Sequence, residues 1–132
     1  MANIDGIGGF NPSTGSSILF AAYGNDIVNV STGLGYQSNI TSGNKGEFVS
    51  FLDNFWYANG TDGIRRFNGT SWKNETTIRK APIAKYISVS PRNRILFGYV
   101  TYNSLTFASR VWFTDLPKNN NVAYGLEYGS DL

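Results

Sequence analysis

The chain has 132 residues, a length typical of one domain, and it contains neither Cys nor His. Disulfides, thiolate metal sites and catalysis by His or Cys are therefore excluded, and we expect no metal ion and no cofactor. Aromatic residues make up 15% of the chain and charged residues 15%, with 15 Gly, which predicts short strands joined by tight turns. We also expect no signal peptide and no membrane-spanning segment, because the sequence shows no basic start with an apolar run and no apolar stretch of about 18 residues.

The basic residues are unevenly distributed along the chain. Ten of the eleven lie between Arg65 and Lys118, where Glu75 and Asp115 are the acidic residues. A local excess of positive charge attracts nucleic acid or an acidic partner surface. Because no run of five or more like charges occurs, we interpret these residues as solvated strand and turn positions and expect no nucleic-acid binding.

In chain order, the sequence divides into a lead-in segment and three similar repeats. Residues 1–16 are rich in Gly and predict a loop or a lead-in strand. The first repeat, residues 17–46, opens on the apolar run ILFAAY, which the turn signal Gly-Asn-Asp closes. Its predicted strands are 18–23, 27–30 and 36–40.

The second repeat, residues 47–82, has the same order of aromatic strands and turns. Its two Asn-Gly dipeptides are strong hairpin signals. The best helix candidate, residues 74–81, lacks an apolar stripe of helical period and runs into Pro82, so no helix is predicted. The predicted strands are 48–52, 55–58, 64–67 and 71–73.

The third repeat, residues 83–128, contains the run ILFGYV, which matches ILFAAY of the first repeat almost residue for residue. A longer connection, residues 101–108, replaces the short turn that follows this run in the first repeat. Residues 125–132 begin a further strand-like segment that we expect to lack a pairing partner. The predicted strands are 86–89, 95–100 and 110–114.

The spacing of the repeats predicts the fold class. Ile27, Ile64 and Val111 fall at equivalent points, 37 and 47 residues apart. A period of about 40–50 residues with about four strands per unit is typical of β-propeller blades. We therefore predict a single all-β domain over residues 17–132, with ten to twelve antiparallel strands in three blade-like repeats. A β-sandwich or a small barrel is the alternative.

Aspartates are the candidates for carboxylate chemistry. A glycosidase needs two carboxyl groups about 5–9.5 Å apart, for which Asp62 and Asp115 form the candidate pair. Asp26 and Asp53, like those two, occur in turn-like contexts, where Asp hydrogen-bonds to nearby backbone, so we expect no enzyme. Residues 59–63 place oxygen ligands as a calcium loop does but lack its bidentate Glu, and no metal site is predicted.

Aromatic and basic side chains are the candidates for contact with a ligand or a partner. Exposed aromatic rings stack on sugars or bases, although most rings of a small β-protein fill its core. Strand alternation places Trp56 and Tyr57 on opposite faces of a sheet, so one of the two is a surface candidate. The predicted contact residues are Trp56, Trp72, Tyr102, Trp112, Arg65 and Arg66.

Three segments carry a resemblance to a known class of proteins. They read FLDNFWYANGTDGIRRFNGTSWK, APIAKYISVSPRNRILFGYV and SRVWFTDLPKNNNVAYGLEY. Over about residues 17–128, the chain resembles β-propeller structural proteins of tailed-bacteriophage virions. The resemblance implies a propeller that decorates or plugs the tail or neck, with no catalytic residues to carry over. Proteins of that class are usually much longer than this chain.

The resemblance implies a virion structural or assembly protein that is made in the host cytoplasm. The alternative is a carbohydrate-binding propeller, in which Trp and Tyr at blade edges stack on a glycan. Because propellers usually have 4–8 blades, three blades need a partner. We expect a homo-oligomer or association with other virion proteins: two copies form a six-blade ring, or the remainder of a longer parent chain completes one. The exposed faces that need this partner are predicted to be apolar, as suggested by Phe20, Phe51, Tyr57 and Phe97.

Overall fold

The computed structural model of the protein describes residues 3–114 and 128–131. This part of the chain forms twelve strands and one short helix, α1 (Glu75–Arg79), which confirms the all-β class. The strands are β1 (Ile4–Phe10), β2 (Ile18–Tyr23), β3 (Asp26–Asn29), β4 (Gly35–Ser38), β5 (Glu47–Phe51), β6 (Asn54–Ala58), β7 (Arg65–Phe67), β8 (Trp72–Asn74), β9 (Ile83–Ser90), β10 (Arg94–Tyr102), β11 (Leu105–Thr114) and β12 (Tyr128–Asp131).

The strands pair in chain order into three four-stranded antiparallel sheets. Sheet 1 contains β1 to β4, sheet 2 contains β5 to β8, and sheet 3 contains β9 to β12. Each sheet is thus a meander in which every strand pairs with its neighbours in the chain. Among the described residues, no sheet closes on itself into a barrel.

The first sheet begins at Ile4 rather than at residue 17. β1 lies within the Gly-rich segment that the sequence left as a loop or a lead-in strand, and it pairs with β2 from Ile4 to Phe10. Glycine weakens the sequence signal for a strand, so the sequence alone indicates β1 poorly. The position of β1 is set by its contacts with another sheet. A Cβ atom on Gly8 would lie 2.7 Å from Cβ of Phe48 in sheet 2. The glycine therefore allows the two sheets to approach closely.

The predicted long connection at residues 101–108 is wrong. β10 continues to Tyr102 and β11 begins at Leu105, so a two-residue turn joins them. Asn103 and Ser104 both have positive φ, 51° and 64°, as a type I′ hairpin turn requires. The turn was missed because Asn-Ser is a weaker signal for this geometry than Asn-Gly.

The final segment of the chain has a partner, contrary to our expectation. β12 pairs with β11, with Tyr128 opposite Thr114 and Asp131 opposite Val111. Asp115, Lys118 and residues 125–127 of the predicted segment lie outside the described residues. Sheet 3 is therefore a complete four-stranded meander, like sheets 1 and 2.

Helix α1 lies where no helix was predicted. Its N-cap is Asn74, whose side-chain oxygen accepts a hydrogen bond from the Thr77 backbone N–H at 3.1 Å. Its C-cap is Lys80, in the left-handed conformation with φ of 59°. With five residues, the helix is too short to show an apolar stripe. Its first residue, Glu75, is buried, and this tertiary contact fixes the turn.

Sheet 2 lies between sheets 1 and 3 and is covered on both faces. The first core, between sheets 1 and 2, consists of Phe10, Phe20, Ala22, Ile27, Ile40, Phe55, Tyr57, Phe67 and Trp72. The second core, between sheets 2 and 3, consists of Phe51, Trp56, Ala58, Ile64, Ala81, Ala84, Ile87, Ile95, Phe97, Val100 and Trp112. The end sheets 1 and 3 each use one face for a core, and no other sheet formed by the described residues lies against the opposite, outward face of either.

The matching runs ILFAAY and ILFGYV form corresponding second strands, but their phenylalanines face in opposite directions along the stack. Phe20 points from sheet 1 into the first core, whereas Phe97 points from sheet 3 back into the second core. Both rings face sheet 2. A shift of one residue in a strand exchanges its two faces, and the sequence match does not show which face is buried.

We expect Gly8→Ala to destabilise the protein and Gly9→Ala to leave it unharmed. The new Cβ at Gly8 would clash with Phe48, and overpacking of this kind costs about 1–3 kcal/mol. At Gly9, the nearest atom would be the Asn11 amide nitrogen at 4.0 Å, so this neighbour is a matched control. Urea unfolding measures both free energies. Equal stabilities for the two variants would contradict the close approach of sheets 1 and 2.

Candidate functional site

The predicted contact residues are mostly interior. Trp56, Trp72 and Trp112 are at most 7% exposed, and Arg65 and Arg66 are each 6% exposed. They do not form one cluster: Trp72 belongs to the first core, and the other two tryptophans belong to the second. Tyr102 is half-buried against Trp112, with ring centroids 4.7 Å apart. The indole rings are therefore packed inside the protein, where a ligand cannot stack on them.

Trp56 and Tyr57 lie on opposite faces of β6, as alternation predicts. Both are nevertheless buried, because sheet 2 has a neighbour on each side, so neither is a surface candidate. Burial, together with the charges of Asp5 and Asp62, raises the pKa of Tyr57 to about 12. A hydrogen bond with Asn59 lowers this pKa but is outweighed. The phenol thus stays protonated in neutral solution.

Arg66 belongs to a buried polar network that ties α1 to sheet 2. Its Nε donates to Glu75 Oε1 at 2.6 Å, and its Nη1 donates to Asn54 Oδ1 at 2.6 Å. The Arg66 and Glu75 side chains are only 7% and 0% exposed. Arg79 lies near the other Glu75 oxygen, with its Nη1 3.8 Å away. The charged groups of this network bond to one another inside the protein. The Arg66 donors that a ligand would need are therefore already occupied.

The loop between β6 and β7 is organised by Asn59 and Asp62. Asn59 Oδ1 accepts hydrogen bonds from the backbone of residues 61 and 62, and its Nδ2 donates to Asp62. Asp62 also accepts from Thr41 N at 2.6 Å and Thr41 Oγ1 at 2.9 Å, which joins this loop to the connection between sheets 1 and 2. Burial raises the pKa of Asp62, but these hydrogen bonds and the charge of Arg65 outweigh it, and the net pKa is lowered.

The other described aspartates also serve turns and connections. Asp53 accepts from Ser13 N and Oγ, which joins the β5–β6 turn to the β1–β2 connection and lowers the Asp53 pKa. Asp26 accepts from the backbone of Ile27. Asp115, the partner of Asp62 in the glycosidase alternative, lies outside the described residues. Within residues 3–114 and 128–131, no group of three or more acidic residues could hold a metal ion.

The candidate functional site is the pair of outward faces on the end sheets. The outward face of sheet 1 is largely apolar and solvent-exposed. Ile4, Ile7, Leu19 and Tyr23 are each between 41% and 63% exposed. Strand pairing shows that they share one face. Ile4 lies opposite Tyr23, and Ile7 lies opposite Ala21. Ala21 points outward, because the adjacent residue Ala22 points inward.

The outward face of sheet 3 is apolar and also concave. Gly98 lies opposite both Tyr86 and Val111, which are 50% and 47% exposed. Because Gly98 has no side chain, a shallow groove of about 390 Å³ opens there, lined by Leu96 and Ser88 of sheet 3 and by Glu47 of sheet 2. Two cations of sheet 3 lie over aromatic rings. Lys85 Nζ is 5.7 Å from the Tyr86 ring and 5.5 Å from the Tyr99 ring, and Arg94 is 5.1 Å from the Phe113 ring.

A signal for these faces was present in the sequence. ILFAAY and ILFGYV are apolar at consecutive positions, whereas a strand with one solvated face alternates apolar and polar residues. Continuous apolar runs predict strands that are covered on both faces. These two runs indicate where the strands lie, but they do not indicate which of their side chains remain exposed.

Among the described residues, no helix is long and apolar enough to cross a membrane. No protein-family model, curated protein or solved structure matches the chain.

We expect Arg66→Met to lower the free energy of unfolding by about 3–5 kcal/mol, because it leaves the Glu75 carboxylate buried without its closest partner. The double variant Arg66→Met, Glu75→Met should recover much of this loss, since apolar pairs replace buried ion pairs at little cost. Thermal and urea unfolding of both variants provide the measurement. A double variant no more stable than the single one would show that the ion pair is not the source of the loss.

We expect Asp62→Asn to destabilise the protein at neutral pH but not in acid. The lowered pKa means that ionised Asp62 contributes stability above its unfolded pKa of about 3.9, and that this contribution is lost as pH falls through the folded value. Loss of the charged acceptor should cost about 1–2 kcal/mol at pH 7. Urea unfolding at pH 7 and at about pH 2 tests this, and a difference that persists unchanged in acid would contradict it.

Proposed function

We propose that the chain is a set of three β-propeller blades that serves as a non-catalytic structural module in the tail or neck of a bacteriophage virion. The observation that carries the proposal is the repetition of one unit. Three consecutive four-stranded antiparallel meanders lie face to face, as blades do. The interaction surface of such a unit is a sheet face and not an enclosed pocket.

The arrangement of the first strands supports a radial stack. Backbones of neighbouring sheets approach closely at β1 with β5 and at β5 with β9, the first strands of their sheets. At the first of these contacts, the Gly46 backbone N–H donates to the Asp5 carbonyl at 2.9 Å. In a propeller, first strands lie nearest the central axis, so this is where adjacent blades are expected to converge.

The side chains that fill the gap between sheets 1 and 2 also vary with distance from the first strands. At β1, the small residues Gly6 and Gly8 face sheet 2. Farther out, the gap holds large rings: Tyr36 of β4 lies 5.8 Å from Phe67 of β7, and Phe20 lies 5.3 Å from Trp72 of β8. Phe10, at the end of β1, also places a ring in this gap, 5.4 Å from Phe55. The glycines of β1 allow the closest approach of the two sheets, and a gap that widens away from them is the shape that turns stacked sheets around an axis.

The segments that resemble phage propeller proteins each cover consecutive strands of one sheet. The first segment runs from Phe51, the last residue of β5, through β6 and β7 to Lys73 in β8, with its two Asn-Gly turns between strands. The second spans α1–β9 linker residues, β9 and most of β10. The third starts within β11, and its middle lies outside the described residues. This correspondence between motif and meander supports the proposed relationship to virion propellers.

The carbohydrate-binding alternative requires other rings than the ones predicted for it. Trp56, Trp72 and Trp112 are interior, so sugar stacking would fall to exposed tyrosines such as Tyr86 and Tyr99. Tyr86 borders the groove on the outward face of sheet 3, and Lys85 Nζ lies 5.7 Å from the Tyr86 ring and 5.5 Å from the Tyr99 ring. A glycan array with the Tyr86→Ala variant as control separates this alternative from a purely structural role.

The virion proposal is tested on particles purified from the phage or lysogen that encodes the sequence. Mass spectrometry of the particles should find peptides of this chain, and an antiserum raised against the purified protein should label the tail or neck in electron micrographs. Serum depleted on the purified protein is the control. Intact particles that lack its peptides would overturn the proposal, as would labelling confined to the capsid.

A further inference from the structure

Sheet 2 shows what a continuously apolar second strand looks like when both of its faces are covered. In β6, residues 55–58 are all buried, alternately in the first and second cores. The second strands of the end sheets have the same apolar composition, ILFAAY in β2 and ILFGYV in β10, but each has only one covered face. Leu19 and Tyr23 of β2 and Tyr99 of β10 are 41–45% exposed.

The two outward faces are complementary in shape. The outward face of sheet 1 bears protruding aliphatic side chains, with Ile7 59% exposed and Leu19 41% exposed. The outward face of sheet 3 has a shallow groove of about 390 Å³ over Gly98, bordered by Tyr86, Leu96 and Val111. Protruding aliphatic side chains on one face can therefore pack into a depression on the other.

The charges on the two outward faces are mixed. On sheet 3, Arg94 lies over the Phe113 ring, but β12 places Asp131 opposite Val111, and Glu47 of sheet 2 lines the groove. On sheet 1, Asp26 lies opposite exposed Tyr23, whereas the Asp5 carboxylate accepts from the Gly43 backbone N–H beside sheet 2. The choice of sheet 1 against sheet 3 therefore rests on the apolar faces and on closure of the ring.

We propose that two copies of this chain form a closed six-sheet ring, in which the outward face of sheet 1 of each copy packs on the outward face of sheet 3 of the other. This inference rests on the propeller arrangement in the proposed function. A six-blade pair was also the expectation drawn from sequence, but the joining faces are other ones. Phe20, Phe51, Tyr57 and Phe97, which were expected there, are buried within each copy.

Geometry and area both favour a pair of copies. A head-to-tail contact closes only when the rotations add up to a full turn, and six blades lie within the usual range of 4–8, whereas nine blades from three copies do not. With strands about 4.8 Å apart and about six residues of 3.3 Å long, a four-stranded face covers about 380 Å². Two such faces give about 750 Å² per copy, close to the roughly 800 Å² per partner of a standard stable interface.

The first experiment measures mass by light scattering at tens of micromolar protein. We expect wild type to scatter as twice the 14.5 kDa chain mass. Val111→Asp, which places a charge on the outward face of sheet 3, should yield monomers with an unchanged circular dichroism spectrum. Leu105→Asp is the matched control, because Leu105 is 60% exposed on the same strand but lies at the hairpin tip, and this variant should remain dimeric. A folded wild-type monomer, or a dimeric Val111→Asp, overturns the ring.

The second experiment tests which faces meet. The chain has no Cys, so Ile7→Cys and Val111→Cys each introduce a single thiol on one outward face. Under mild oxidation, the mixed variants should form the cross-linked heterodimer far more than either variant forms a homodimer. A dominant Ile7→Cys homodimer would instead indicate face-to-face pairing of sheet 1 and overturn the head-to-tail arrangement. Neither result depends on virion location, so a failed ring and a failed virion role remain distinguishable.

Discussion

The burial of sheet 2 on both faces is the constraint on which the rest of this structure depends. Strand β6 sends Phe55 and Tyr57 into the first core and Trp56 into the second. Each large side chain removed from water contributes on the order of 1.5–3 kcal/mol, so sheet 2 is the main source of apolar stabilisation for both end sheets. Among residues 3–114, neither core contains side chains from both sheet 1 and sheet 3, so each end sheet is held chiefly through sheet 2.

Polar contacts fix how the sheets meet, and they lie at the rim of the apolar cores. Asp53 joins a turn of sheet 2 to Ser13, and Asp62 joins another to Thr41, so two loops of sheet 2 are tied to the β1–β2 connection within sheet 1 and to the connection that follows sheet 1. The Arg66–Glu75 pair anchors α1 against β7. Such pairs add little net stability over apolar replacements but penalise any packing in which one partner is left alone.

The same physical property explains both the internal packing and the proposed association. A strand that is apolar on both faces gains most stability when both faces are covered, which the described residues achieve for β6 and not for β2 or β10. The outward faces therefore are large, shallow and apolar, with a few charges, as expected for surfaces that meet another sheet. In the described part of the chain, charged groups such as Asp62 and Glu75 already bond to the protein itself.

The sequence by itself determined the all-β class, the three repeats of short strands and the positions of most strands, because alternation and turn residues act over a few neighbouring residues. It offered a lead-in strand within residues 1–16 as one of two possibilities but did not give the bounds of β1, whose glycines matter only where Phe48 approaches. It did not predict the Asn103-Ser104 turn, whose dihedral angles depend on the strands it joins. It also could not say which face of each strand would be buried. A shift of one residue exchanges the faces, and Phe20 and Phe97 occupy matching positions yet point in opposite directions along the stack. Only the tertiary structure decided that Trp56, Trp72 and Trp112 are interior and that Ile7 and Val111 are exposed, because burial depends on which sheets are neighbours.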